Sequence, residues 1–245
     1  MKLHLKLFSL YCVFLFLAYS CESESVKALP IDNGHEYANI KLGRSWEYKY
    51  DTINYLSGGA IKQMKSGFLK ITIDEQLENG KFRVIKSIKK DSLGQYTPFR
   101  AEIIELNEKT LTTTDHNLTF INLVFPPKKE ATWKGNRLFN EDIELTINDE
   151  IMKVYNGWDY TITTVDTTLI IHGRSYLNTV EVVAGPKSEN LISQRIRKEY
   201  YTQGVGLSKV HMEVLNTQKI LPNAAWRDKA ESGFIYVQEL VRFVE

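Results

Sequence analysis

The sequence predicts an all-β domain of antiparallel strands, arranged as a sandwich or an open half-barrel. Three observations carry that reading. Short segments of period-two alternation recur at spacings of about eight to twelve residues. Turn-forming pairs separate them, with Asn79-Gly80 the clearest. No segment shows the 3.6-residue apolar period of a long amphipathic helix.

The chain opens with MKLHLKLFSLYCVFLFLAYSC. Lys2 and Lys6 give a positive start, and Leu7 to Leu17 is apolar apart from Ser9. That run is too short to cross a bilayer core of about 30 Å as a helix, and it has the length of a secretory signal. Leu17-Ala18-Tyr19-Ser20-Cys21 places a small residue directly before a cysteine. This segment resembles the lipobox of bacterial lipoproteins, with Tyr19 larger than most lipoboxes carry there. The resemblance implies a signal peptide over 1–20, acylation of the Cys21 thiol, and cleavage before it. Each buried CH₂ contributes roughly 0.8 kcal/mol, so two or three acyl chains on one residue anchor a protein firmly.

Residues 21–41 read as a flexible tether, polar and punctuated by Pro30, Asn33 and Gly34. The β-rich domain spans 42–245. Trp46, Tyr48 and Tyr50 alternate with charged residues, as on a half-buried strand. Strands are expected over 67–73 and 82–88, joined at Asn79-Gly80, and over 100–106 and 110–114. A strand over 120–125 stops at Pro126-Pro127, which cannot continue a central ladder. Further strands are expected over 143–147, 160–165, 168–172, 178–183, 194–201, 206–214 and 234–243. Residues 219–233 read as irregular, with one helical turn near Trp226. Leu42 to Tyr48 has an echo at Lys129 to Gly135, which suggests two similar halves, 42–125 and 126–245.

Removal of residues 1–20 leaves 225 residues, ample for a core, with side chains summing to a formal charge of −1. Near-neutrality offers no argument for nucleic-acid binding. Both cysteines, Cys12 and Cys21, belong to the signal and the anchor. The remaining chain therefore holds no thiol for a disulfide, a nucleophile or a metal.

Tyr200-Tyr201-Thr202-Gln203-Gly204-Val205-Gly206 resembles a segment of envelope lipoproteins from Bacteroidota-type bacteria, as do Gly173 to Val180 and Phe125 to Asn136. The resemblance spans roughly the second half of the chain and implies envelope location and β architecture, without a particular chemistry. Glu22-Ser23-Glu24 only partly resembles the acidic signals for surface display in that group, so either face of the outer membrane stays open. Read from the residues alone, Gly204-Val205-Gly206 permits positive φ or the close approach of another segment. It is not a phosphate loop, since Lys209 falls outside the required spacing.

No catalytic constellation emerges. His35, His116, His172 and His211 lack metal-ligand spacing, and no cofactor is implied. Glu141-Asp142 and Asp149-Glu150 would point to opposite faces of a strand, so neither pair converges on one bond. The aromatics Trp46, Tyr48, Trp133, Trp158 and Tyr200 are the candidate ligand-contacting residues, against a competing role in core packing. The leading expectation is a non-catalytic domain tethered to the membrane through Cys21, binding a protein partner or an apolar ligand. A periplasmic carrier of lipid or lipoprotein is the second, and a glycan or peptide hydrolase the third. A deep apolar cavity would favour the carrier, a flat apolar patch the partner, and convergent carboxylates the enzyme. Cys21→Ser is expected to release the protein from the membrane fraction, and unchanged retention on fractionation would refute the anchor.

Overall fold

The computed structural model describes residues 33–188 and 190–244. The expected signal, Cys21 and the tether up to Asp32 lie outside the described residues. Fourteen strands account for most of the domain. The first six are β1 (Ser45–Leu56), β2 (Ile61–Gln76), β3 (Lys81–Lys89), β4 (Thr97–Leu106), β5 (Thr110–Asp115) and β6 (Leu118–Val124). Three short strands follow, β7 (Thr132–Trp133), β8 (Glu144–Ile147) and β9 (Glu150–Lys153). The rest are β10 (Trp158–Ile171), β11 (Arg174–Pro186), β12 (Ser193–Thr202), β13 (Gly206–Asn216) and β14 (Ser232–Val244). A single helical turn, α1 (Trp226–Lys229), sits in the irregular stretch before β14, where the sequence places it.

Twelve strands form one sheet in the order β6-β5-β4-β3-β2-β1-β14-β13-β12-β11-β10-β7, with β8 and β9 as a separate hairpin. Each recorded pairing is antiparallel. The sheet is two meanders joined along β1 and β14, whose ladder runs from Ser45 opposite Val244 to Tyr55 opposite Gly233. Of the two expected arrangements, an open curled sheet is the one formed. Its free edges approach but do not pair as a ladder. The Ile121 N–H on β6 donates to the Gly135 carbonyl at 2.8 Å. The Trp133 indole on β7 donates to the Ile121 carbonyl at 2.8 Å.

Hairpin chemistry is local. Asn79 (φ 58°) and Gly80 (φ 72°) both occupy the left-handed region, as the Asn-Gly pair predicts. His116-Asn117 and His172-Gly173 do the same between β5 and β6 and between β10 and β11. The two strands expected over 160–165 and 168–172 are instead one strand, β10. Asp166 at φ 54° and three register shifts against β11 give the alternation break that looks like a turn in the sequence. The segments Leu42–Tyr48 and Lys129–Gly135 take unlike places, since Trp46 lies on a central strand and Trp133 on an edge strand.

Residues 33–41 pack on the domain, so the expected tether meets folded structure at Asn33 and not at Leu42. The His35–Tyr37 turn buries Tyr37, and Asn39 Nδ2 donates to the Gly204 carbonyl at 2.6 Å. The Gly204 N–H in turn donates to the Glu36 carbonyl at 3.0 Å. Gly206, at φ 97°, leaves room for the Ala38 carbonyl, 2.9 Å from where a Cβ would stand. The Gly-Val-Gly turn therefore serves backbone approach, as the sequence indicates.

Gly135 is required for a different reason. A Cβ there would sit 2.4 Å from the ring of Tyr160. That ring is buried, and its hydroxyl donates to Asn136 Oδ1 at 2.9 Å, so it cannot yield. Gly135→Ala is expected to cost about 1–3 kcal/mol in urea unfolding. Gly94→Ala, which meets only ordinary contacts near 3.5 Å, should stay within about 0.5 kcal/mol of the parent. A second test concerns pH. Asp159 lies between Lys134 Nζ at 2.9 Å and Lys187 Nζ at 3.2 Å, pinning the β7 end to β10 and β11. The Lys134 hydrogen bond, outweighing burial, holds its carboxyl below the usual carboxylate range. The stabilisation is present above an unfolded pKa of about 3.9 and is lost as pH falls through the folded value. The stability difference between the parent and Asp159→Asn, about 1 kcal/mol, should be flat above pH ~5 and shrink in acid.

Candidate ligand-binding cavity

The inner face of the curled sheet lines a cavity of about 450 Å³ that is partly open to solvent. Small-molecule sites commonly run from about 300 to 1,000 Å³. The alternation on β1 turns Trp46, Tyr48 and Tyr50 inward, and the facing positions of β2 add Leu69 and Ile71. Val84 and Ile88 on β3 and Ile104 on β4 extend the apolar wall. Ala38 and Ile40, from the segment held by the Gly204–Gly206 turn, also line it.

The ring faces are apolar because their polar atoms are used elsewhere. Trp46 Nε1 donates to the Val205 carbonyl at 2.6 Å, and Tyr48 Oη donates to the Leu207 carbonyl at 2.8 Å. Burial, with a smaller contribution from Tyr236, pushes the Tyr48 phenol well above its ordinary pKa, so it remains a donor.

Charged and polar groups occupy two parts of the same wall. On β12, Arg197 Nε donates to Glu199 Oε1 at 2.7 Å, Arg197 Nη2 donates to the same oxygen, and Tyr201 Oη donates to Glu199 Oε2 at 2.6 Å. Burial works against the charge on Arg197, but the Glu199 carboxylate more than offsets it and the guanidinium pKa rises. Burial and then Glu199 push the Tyr201 phenol up. On β14, Tyr236 Oη donates to Gln238 Oε1 at 2.8 Å, while Gln238 Nε2 is buried without a partner. On β3 and β4, Lys86 Nζ lies 2.6 Å from Glu102 Oε1, an ion pair whose angles fall outside hydrogen-bond geometry. Arg100 Nη1 donates to Asp115 Oδ2 at 2.8 Å.

Of the aromatics singled out in the sequence, Trp46 and Tyr48 reach this cavity. Trp133 bridges the sheet edges and packs on Tyr160 at 5.7 Å between centroids. Trp158 is fully buried in the packed core, its Nε1 unpartnered. Tyr200 lies outside the cavity wall and donates to Glu181 Oε1 at 2.7 Å. Sequence reasoning did not single out Arg197, Glu199, Gln238, Lys86, Arg100 or Glu102. The signal was the i, i+2 spacing Arg197-Glu199-Tyr201, which puts all three on one face of a strand.

The other candidates serve the scaffold. Glu141 Oε2 accepts from the Gly157 N–H at 3.2 Å, and Asp142 Oδ1 accepts from Asn156 Nδ2 at 2.7 Å. His211 Nε2 lies 2.9 Å from Glu213 Oε1, and His172 Nε2 lies 3.8 Å from Glu239 Oε2. Among the described residues no group of three or more His, Cys, Asp or Glu side chains is placed to hold a metal ion.

No family model and no curated protein matches the sequence. Solved structures that resemble the chain include the following three. An exported protein of Bacteroides fragilis with a YmcC-like fold has a TM-score of 0.37 and 10% identity, covering 84% of this chain and 97% of that one. A lipoprotein of Parabacteroides distasonis has a TM-score of 0.35 and 13% identity, covering 85% and 98%. A DUF1329 family protein of Desulfovibrio piger has a TM-score of 0.20 and 13% identity, covering 84% and 86%.

Proposed function

We propose that this chain is a lipoprotein anchored in the bacterial outer membrane through Cys21, on its periplasmic or outer face, whose β domain holds an apolar ligand. One observation carries the ligand reading: a cavity of about 450 Å³ walled by Trp46, Tyr48, Leu69, Ile71 and Val84, whose aromatic polar atoms are already bonded to backbone. Such a wall offers an incoming molecule dispersion and loss of water from apolar surface, at roughly 25 cal/mol per Å² buried. The lipobox supports the anchor.

The role as a carrier follows from the same cavity, with the tether setting where the ligand is held. A hydrolytic role has less support. Both Glu199 oxygens accept hydrogen bonds and Glu102 is ion-paired with Lys86, which gives the two carboxylates of the cavity a structural role. A protein partner remains the second reading, favoured by the rim. Met64 is 72% exposed and Phe99 is 49% exposed, both beside the Ile88 end of the cavity.

The test uses the mature chain, residues 21–245 with Cys21→Ser, and the neutral apolar fluorophore N-phenyl-1-naphthylamine. Saturable one-to-one enhancement with a micromolar Kd is expected. Ile71→Trp, which fills the cavity, should weaken it about tenfold or more, whereas Lys70→Trp, on the opposite face of β2, should not. No enhancement with the parent, or equal binding by Ile71→Trp shown to be folded by circular dichroism, would refute the reading.

A further inference from the structure

The polar part of the cavity has donors without acceptors. Gln238 is 5% exposed, its Oε1 is occupied by Tyr236, and its Nε2 has no partner. A buried amide N–H without a partner forfeits the hydrogen bond it had to water. Arg197 uses Nε and Nη2 on Glu199 and makes no hydrogen bond through Nη1 among the described residues. Its side chain is 31% accessible although it lines an interior wall, which is the exposure expected of a group facing a cavity. The acceptor beside it is largely engaged, since Glu199 Oε1 accepts twice from Arg197 and Oε2 accepts from Tyr201. Each cation of the lining has a carboxylate beside it, Lys86 with Glu102, Arg100 with Asp115 and Arg197 with Glu199, so a ligand would meet unused N–H groups and not a surplus of charge.

A neutral alcohol would satisfy one of these donors weakly, and a cationic group would satisfy none. We propose that the cavity takes an amphiphile whose apolar chain ends in an anionic, acceptor-only group, a carboxylate or a phosphate ester, bonded by Arg197 Nη1 and, once its shielded amide turns toward the space, by Gln238 Nε2. This rests on the cavity reading above and adds the chemistry of the ligand's polar end. The apolar chain lies against Trp46, Tyr48 and Leu69, and the head meets β12 and β14. A site built to donate hydrogen bonds discriminates against a ligand lacking the acceptor, since its donors then stay buried and unpaired.

Four probes of equal chain length separate the outcomes: palmitate, hexadecyl phosphate, hexadecanol and hexadecyltrimethylammonium. Each is titrated below its micellar concentration against N-phenyl-1-naphthylamine on the mature chain. At least one anion should bind about tenfold tighter than hexadecanol, and the cation should bind more weakly than hexadecanol. The tighter of the two anions distinguishes carboxylate from phosphate. Gln238→Glu keeps the acceptor for Tyr236 and replaces the free donor with an acceptor, so the anion-to-alcohol affinity ratio should fall toward one. Gln238→Met removes the donor without adding charge, and its ratio should fall as well, with near-UV circular dichroism reporting the fold. Equal binding of anion and alcohol by the parent, or a preference for the cation, would overturn the head-group assignment while leaving the cavity occupied. Failure of the naphthylamine to bind would overturn the cavity reading itself.

Discussion

Everything in this domain depends on the ladder between its first and last long strands. β1 and β14 lie nearly 200 residues apart in sequence yet pair from Ser45–Val244 to Tyr55–Gly233. On one side of that seam runs the meander β2 to β6, and on the other β13 to β10 and β7. Neither meander encloses a cavity alone. The seam brings the β1–β4 wall, apolar apart from Lys86, Arg100 and Glu102, together with the Arg197–Glu199–Tyr201 face of β12. It also sets register: Tyr48 faces Leu240, Tyr50 faces Gln238, and Val210 on β13 faces Gln238 from the other side. A slip of one residue would turn the entire inward set outward. Such non-local pairing is slow to form compared with local hairpins.

The inner wall is not built for maximum stability. A fully packed apolar interior would bury more surface than one with a void, and empty space in a core is itself destabilising. Replacing a buried ion pair with apolar residues of similar volume is often neutral or stabilising. The Arg197–Glu199–Tyr201 cluster and the unpaired Gln238 amide therefore make poor sense as packing devices. On the proposed binding role they make sense as a polar surface prepared in advance, with Glu199 fixing the guanidinium while Nη1 stays unbonded. The fixed orientation lowers the ordering cost that binding would otherwise incur.

Much of the fold was legible because its signals are local. Asn79-Gly80 dictates positive φ at both positions, and the Trp46-Tyr48-Tyr50 alternation places those rings on one face whatever the rest of the sheet does. The two-glycine turn at 204–206 was readable as a backbone feature for the same reason. The strand boundary inside β10 was misread, because an irregular stretch around Asp166 breaks alternation without ending the strand. Strand order was not readable, since the β1–β14 seam has no local signature.

The candidate site was half legible, and the division is physical. Alternation sorts residues onto two faces but does not say which face is inside, and on β12 the charged set Arg197-Glu199 is the inward one. Aromatic rings behave the same way. Trp46, Trp133 and Trp158 all alternate plausibly, yet one lines a void, one bridges an edge and one fills the core. What separates them is where each indole N–H goes. Trp46 bonds across to Val205, in the turn that also holds the Asn39 and Ala38 segment, so its ring is fixed as wall and not as filler. The segment before β1 thus helps to shape the cavity, because Ala38 and Ile40 are part of its lining. The lining is complete only when the entering segment, the Gly204–Gly206 turn and the first strand are docked together, a condition set by hydrogen bonds between residues more than 150 positions apart.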